Sequence, residues 1–214
     1  MGRNLLILMV AMVFSLRLSG QNSREIIDKY MEVITSYECL SASYNFSIVG
    51  KDGNIKFAID GEFVTQGDKF IVKNDFTDIY CNGEYKAIYD KSVQEVVLIG
   101  HNKDNTNISE NPFAILMNSP YAYTFGEKAE SQVFSSQECW KVTLIPKSNS
   151  ADHVSVDIVV SKSDYSVKSI AYVSKSGDKF CALVKCISEC GKKDPSFFEL
   201  DIDSLPDLEV NDLR

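Results

Sequence analysis

The sequence predicts an α+β fold that is mainly antiparallel β: one sheet of many strands, with short helices to cover its concave face. Two observations carry this. Alternating apolar and polar runs, separated by Asn-Gly, Asp-Gly and Ser-rich turns, recur along most of the 214 residues. A sheet of that many strands does not stay flat without curling, and a curled sheet has a hollow side.

At the start of the chain Arg3 precedes an apolar run from Leu5 to Leu16, followed by the small residues Ser19 and Gly20. This is the charged, apolar and cleavage pattern of a secretory signal peptide. The run is shorter than the roughly 20 residues a spanning helix needs. The expectation is a signal over 1–20, cleaved before Gln21, and one exported, soluble domain over 21–214. No cysteine near the cut offers a lipid attachment point, the first being Cys39.

Ser23 to Leu40 reads as an amphipathic helix, with Ser23 as its cap. Ile26, Ile27, Tyr30, Val33, Ile34 and Tyr37 recur at three and four spacing. Ser43 to Val49 then alternates Tyr44, Phe46 and Ile48, and after Asp52-Gly53 a second strand alternates Ile55, Phe57, Ile59, Gly61 and Phe63. Phe70, Val72 and Phe76 belong to a further strand. Asp75 to Ile99 reads as two strands around Asn82-Gly83, where a tight hairpin wants positive backbone angles.

The polar loop His101 to Glu110 breaks the meander. Asn111 then caps the segment NPFAILMN, whose Phe113, Ile115, Leu116 and Met117 make it apolar on most faces. A helix so short needs an apolar surface to lie on. Strands resume at Glu138 to Ile145, His153 to Val160, Val167 to Val173 and Phe180 to Ile187. Phe197 to Ile202 reads as a last strand before an acidic end.

Composition excludes several classes of function. The chain has 22 basic and 30 acidic residues, a net charge of −8, and removal of Arg3 and Arg17 with the signal takes it to −10. Nucleic acid is a poor partner for such a charge. Arg24 and Arg214 are the arginines of the mature chain, one at each extremity, so no internal arginine clamp is expected. Six cysteines suit an oxidising compartment. Bridges are expected among Cys139, Cys181, Cys186 and Cys190, and without a C-x-x-C pair no metal site is expected. Asp201, Asp203 and Asp207 lack the glycine of a calcium loop.

The two histidines, His101 and His153, stand beside no evident nucleophile, and no hydrolase, zincin or phosphate-loop motif occurs. No catalytic residue and no cofactor is expected. What remains is apolar: Tyr44, Phe46, Phe57, Ile59, Phe63, Phe70, Val72 and Tyr89 are the candidate cavity lining. Tyr30, Val33, Ile34, Phe113, Ile115, Leu116 and Met117 are the candidate lid. Periodicity is equally compatible with a lined cavity and with an ordinary packed core. A secreted interaction module with no cavity is the other class the composition allows.

The order of segments resembles the LolA-like family of outer-membrane lipoprotein carriers, in its Bacteroidetes-type branch. The likeness runs through REIIDKYMEVITSYECLSASYNFSI, GEFVTQGDKFIV, IYCNGEYKAIYDKSVQEV, ENPFAILM, ECWKVTLIP and SFFELDIDSLPDLEVNDLR. What it implies is an incomplete, half-open β-barrel closed by helices, a monomer that shelters the acyl chains of lipoproteins in the periplasm. It implies an inner-membrane donor and an outer-membrane acceptor as partners, and no chemistry. Two positions depart from the family pattern: Gly67 stands where well-known members carry a lid-latching arginine, and Ala87 where they carry a tryptophan. A paralogue serving another lipid or hydrophobic ligand fits those departures.

Overall fold

The computed structural model describes residues 22–102, 123–126, 128–149, 151–205 and 208–214. The expected signal segment, residues 1–20, and the NPFAILMN segment, with Phe113, Ile115, Leu116 and Met117, lie outside the described residues.

Helix α1 spans Ser23–Ser36 and buries Ile26, Ile27, Tyr30 and Ile34. Its cap is Asn22 rather than Ser23: the Asn22 side chain accepts a hydrogen bond from the Arg24 backbone N–H at 2.9 Å. It also ends four residues before Leu40. Tyr37 takes an extended backbone (φ −81, ψ 130), and the hydroxyls of Thr35 and Ser36 turn back onto the carbonyls of Met31 and Val33. The three residues released carry the chain into the sheet.

Among the described residues that sheet has 13 strands: β1 Leu40–Val49, β2 Ile55–Gln66, β3 Lys69–Asn74, β4 Thr77–Cys81, β5 Tyr85–Asp90, β6 Glu95–Gly100, β7 Tyr123–Phe125, β8 Glu130–Phe134, β9 Gln137–Pro146, β10 His153–Ser161, β11 Val167–Ser174, β12 Lys179–Glu189 and β13 Glu209–Asp212. They lie in the order β13-β6-β5-β4-β3-β2-β1-β12-β11-β10-β9-β7, with β8 also on β9. Among the described residues the sheet is not closed. β13 runs parallel to β6 and the other described pairings are antiparallel. This is the mainly antiparallel architecture the sequence predicts, in a form consistent with an open barrel. Among the described residues one α-helix, α1, accompanies it.

Three local expectations are corrected. Asp75 to Ile99 holds three strands, because the chain also turns at 91–94 with neither Asn nor Gly. The Asp90 carboxylate accepts from the Ser92 N–H and hydroxyl, and Gln94 takes the positive φ of 55°. Phe76 lies outside any strand, since Asn74 accepts from the backbone N–H groups of Phe76 and Thr77 and ends β3. Phe197 to Ile202 is no strand: Asp194 caps a 3-10 turn over Pro195–Phe198, a second covers Ile202–Ser204, and the final strand is β13. Strands β7 and β8 are too short to leave a clear alternation in the sequence.

The disulfide is Cys39–Cys190, with its Cα atoms 5.3 Å apart, and not a bridge within the Cys139, Cys181, Cys186 and Cys190 group. Register explains it. Leu40 pairs with Glu189, which sets the residues just outside both strand ends against each other. Cys81 and Cys139 are buried and outside the disulfide, Cys181 is half-buried and Cys186 is exposed.

Candidate functional site

Direct partners across an antiparallel ladder share a face, so register assigns every candidate. Ala42 faces Phe63, Tyr44 faces Gly61, Phe46 faces Ile59 and Ile48 faces Phe57. Phe63 then meets Val72, and Thr65 meets Phe70. Val72 meets Ile79, which meets Ile88. Seven of the eight candidate lining residues, Tyr44, Phe46, Phe57, Ile59, Phe63, Phe70 and Val72, therefore stand on one face. It is the face that carries α1, since Ile26, Ile27, Tyr30 and Ile34 join Tyr44, Phe63 and Val72 in a single apolar cluster.

Tyr89 stands on the opposite face. It pairs with Asp78 and Val96, whereas Ile88 pairs with Ile79. The sequence could not settle this, because a single step in register exchanges the two faces. Tyr89 belongs instead to an outer patch in which Ala87, Val96 and Leu98 are buried under Leu200, Ile202 and Leu208. Ala87 is only 2% exposed there.

On the inner face burial is deepest around Phe63 and Val72 and falls off along the strands to either side. Phe63 and Val72 are buried, Phe46 and Phe70 are half-buried, and Phe57 is 38% exposed. A line of rings crosses the more open end. Phe46 lies 6.3 Å from Phe180, which stacks on Tyr172 at 4.6 Å. Tyr172 lies 6.0 Å from His153, and His153 lies 5.8 Å from Tyr123. The Tyr123 hydroxyl and His153 Nε2 are 3.1 Å apart. Phe180, Tyr172, His153 and Tyr123 were not among the candidates; the alternation Phe180, Ala182, Val184 was the legible signal for the first of them.

Burial sets the electrostatics of this face. Burial pushes the Tyr44 and Tyr172 phenols up to about 12. Burial likewise raises Tyr30 and lowers His153, so both favour their neutral forms. The Tyr30 hydroxyl is fully buried and has no hydrogen-bond partner among the described residues. No group of three or more His, Cys, Asp or Glu able to hold a metal occurs among the described residues.

Of the candidate lid residues within the described set, Tyr30, Val33 and Ile34 line a groove of about 320 Å³ between α1 and the strands β11 and β12. Tyr44 borders a second groove, of about 410 Å³, with Asp60, Glu62, Lys73 and Lys185. Gly67 sits in the β2–β3 turn at a φ of +59°, where an arginine would be strained. No helix among the described residues is long and apolar enough to cross a membrane.

No family model and no curated protein matches the chain. Solved structures do. A conserved protein from Thermus thermophilus aligns over 88% of this chain and 98% of its own, with a TM-score of 0.57 and 8% identity. A LolA superfamily protein from Nitrosomonas europaea aligns over 84% and 98%, with a TM-score of 0.46 and 12% identity. A DUF1329 family protein from Desulfovibrio piger aligns over 83% and 97%, with a TM-score of 0.48 and 9% identity. A LolA superfamily structure is thus among those this chain resembles. At these identities the first shows a shared fold and nothing finer, and the other two, below 0.5, add no argument.

Proposed function

We propose that this chain is a carrier that holds an acyl chain against the inner face of its curved sheet. The observation behind the reading is the convergence of Tyr44, Phe46, Phe57, Ile59, Phe63, Phe70 and Val72 on one face, the face that carries α1. The physical need is large. At about 0.8 kcal/mol per CH₂, a chain of about 16 carbons left in water carries something like 12 kcal/mol of unfavourable surface. A carrier answers it with apolar walls and no reacting groups.

In this reading residues 1–20 are a signal removed on export, and the mature domain works as a periplasmic monomer. Its cargo is an acylated lipoprotein or another lipid, taken from an inner-membrane donor and passed to an outer-membrane acceptor. Phe113, Ile115, Leu116 and Met117 are its proposed lid. No catalysis and no cofactor enter the scheme. Titration of a fluorescent hexadecanoyl probe tests it: saturable binding at one site is expected, weakened about tenfold by Phe46→Asp, which puts a charge on the half-buried part of the face. Binding that Phe46→Asp leaves unchanged would move the cargo elsewhere, and no binding at all would favour an interaction module.

A further inference from the structure

The sheet splits between β11 and β12. β12 pairs with β1 along its whole length, from Lys179 to Glu189. Its pairing with β11 stops at Leu183 opposite Ser169. From Val184 to Glu189 no described strand lies on the β11 side of β12.

Two bulges open the split. In the β1–β12 ladder Ser43 faces Cys186 and Tyr44 faces Val184, so Lys185 is the extra residue. In the β10–β11 ladder Val159 faces Ser169 and Val160 faces Val167, so Lys168 is the extra residue. A bulge bends its strand, and these two stand on facing strands just where the pairing ends. The groove of about 320 Å³ occupies the gap. Val33, Ile34, Tyr37, Val184 and Ile187 give it apolar walls, while Lys168, Lys185, Asp164 and the thiol of Cys186 stand at its margin.

We infer that this slot is a docking site for an extended peptide, which pairs with the free edge of β12 from Val184 to Glu189. A free strand edge presents alternate N–H and C=O groups, and the chemistry that answers them is another extended backbone. Six edge residues span about 20 Å, the length of an ordinary strand. The apolar walls take every second side chain. Lys168, whose charge helps to lower the Asp164 carboxyl without forming a salt bridge among the described residues, and Lys185, which Asp60 holds at 2.7 Å, can each take a further acidic partner between the two bulges. The partner is therefore a polypeptide strand that alternates apolar and acidic residues. The slot adjoins the inner face, since Val184 is the direct partner of Tyr44, but the inference needs no lipid cargo and does not rest on the carrier reading.

The test uses an acetylated, fluorescent peptide of about seven residues in which valine alternates with glutamate, and the same peptide N-methylated at alternate amides. The unmethylated peptide is expected to bind and to slow amide exchange over 184–189. N-methylation should weaken it about tenfold or more, because it removes donors from the ladder. Lys168→Glu should weaken it severalfold. In Cys181→Ser protein, alkylation of the exposed Cys186 with a bulky maleimide should abolish binding without altering the circular dichroism spectrum. Equal binding of the methylated peptide, protection at another edge, or no binding up to about 1 mM would overturn the proposal. So would protection of 184–189 by dodecanoate but not by peptide, which would make the slot a lipid site.

Discussion

Tyr44 lies across Gly61: a Cβ placed at residue 61 would come within 2.6 Å of the Tyr44 ring carbon Cζ and 2.7 Å of its hydroxyl. The two are direct partners across β1 and β2, so the absent side chain at 61 is what lets the Tyr44 ring lie flat on the inner face. Gly61→Ala should therefore destabilise the protein by about 1–3 kcal/mol in urea unfolding. Adding Tyr44→Leu should recover part of that loss. Additive losses in the double variant would mean that the pair is not coupled.

The Cys39–Cys190 bridge joins residues 151 apart in sequence and ties the start of β1 to the end of β12. Its reduction, or Cys39→Ser, should cost about 2–5 kcal/mol. Peptide mapping of unreduced protein should find this bridge and no other, with Cys186 the first thiol to react because it is the exposed one. A bridge through Cys186 would contradict the register.

Two pH limits follow from burial. Tyr44 and Tyr172 have phenols raised to about 12 in the fold, so the stability they supply is intact below the ordinary tyrosine range near 10 and fades as pH rises toward 12. His153 is lowered by burial beside Tyr123 and Tyr172, so the unfolded chain takes up its proton first and stability falls as pH drops below about 6.5. His153→Phe should flatten the acid limb of a pH–stability profile and leave the alkaline limb in place. Unchanged acid sensitivity in that variant would assign the limb to other groups.

Ala87 is packed under the segment that carries Leu200, Ile202 and Leu208. Ala87→Trp should overfill that space and cost about 1–3 kcal/mol, although the family this chain resembles carries a tryptophan at the corresponding place. A stable variant with an unmoved segment 200–208, read by amide exchange, would show that the outer patch has room.

Much of this was legible in the sequence. Period-two alternation located β1, β2, β9, β10, β11 and β12 to within a few residues, because each is long and has one apolar face. The turn at 91–94 was not, since Gln94 supplies the positive φ that glycine usually supplies. Nor was the face of Tyr89, which depends on register summed across β1 to β5. The disulfide escaped because Cys39 and Cys190 are neighbours through strand pairing and 151 residues apart in sequence. The bulges at Lys168 and Lys185 leave no mark in an alternation pattern, being single extra residues inside otherwise regular strands.

The most direct test of the carrier reading is native mass spectrometry of the mature protein purified without detergent from its own cells. The account predicts a population heavier than the polypeptide by the mass of one acylated molecule, released by mild organic extraction and lost in Phe46→Asp. A single species at the polypeptide mass, unchanged after incubation with a triacylated peptide, would contradict it.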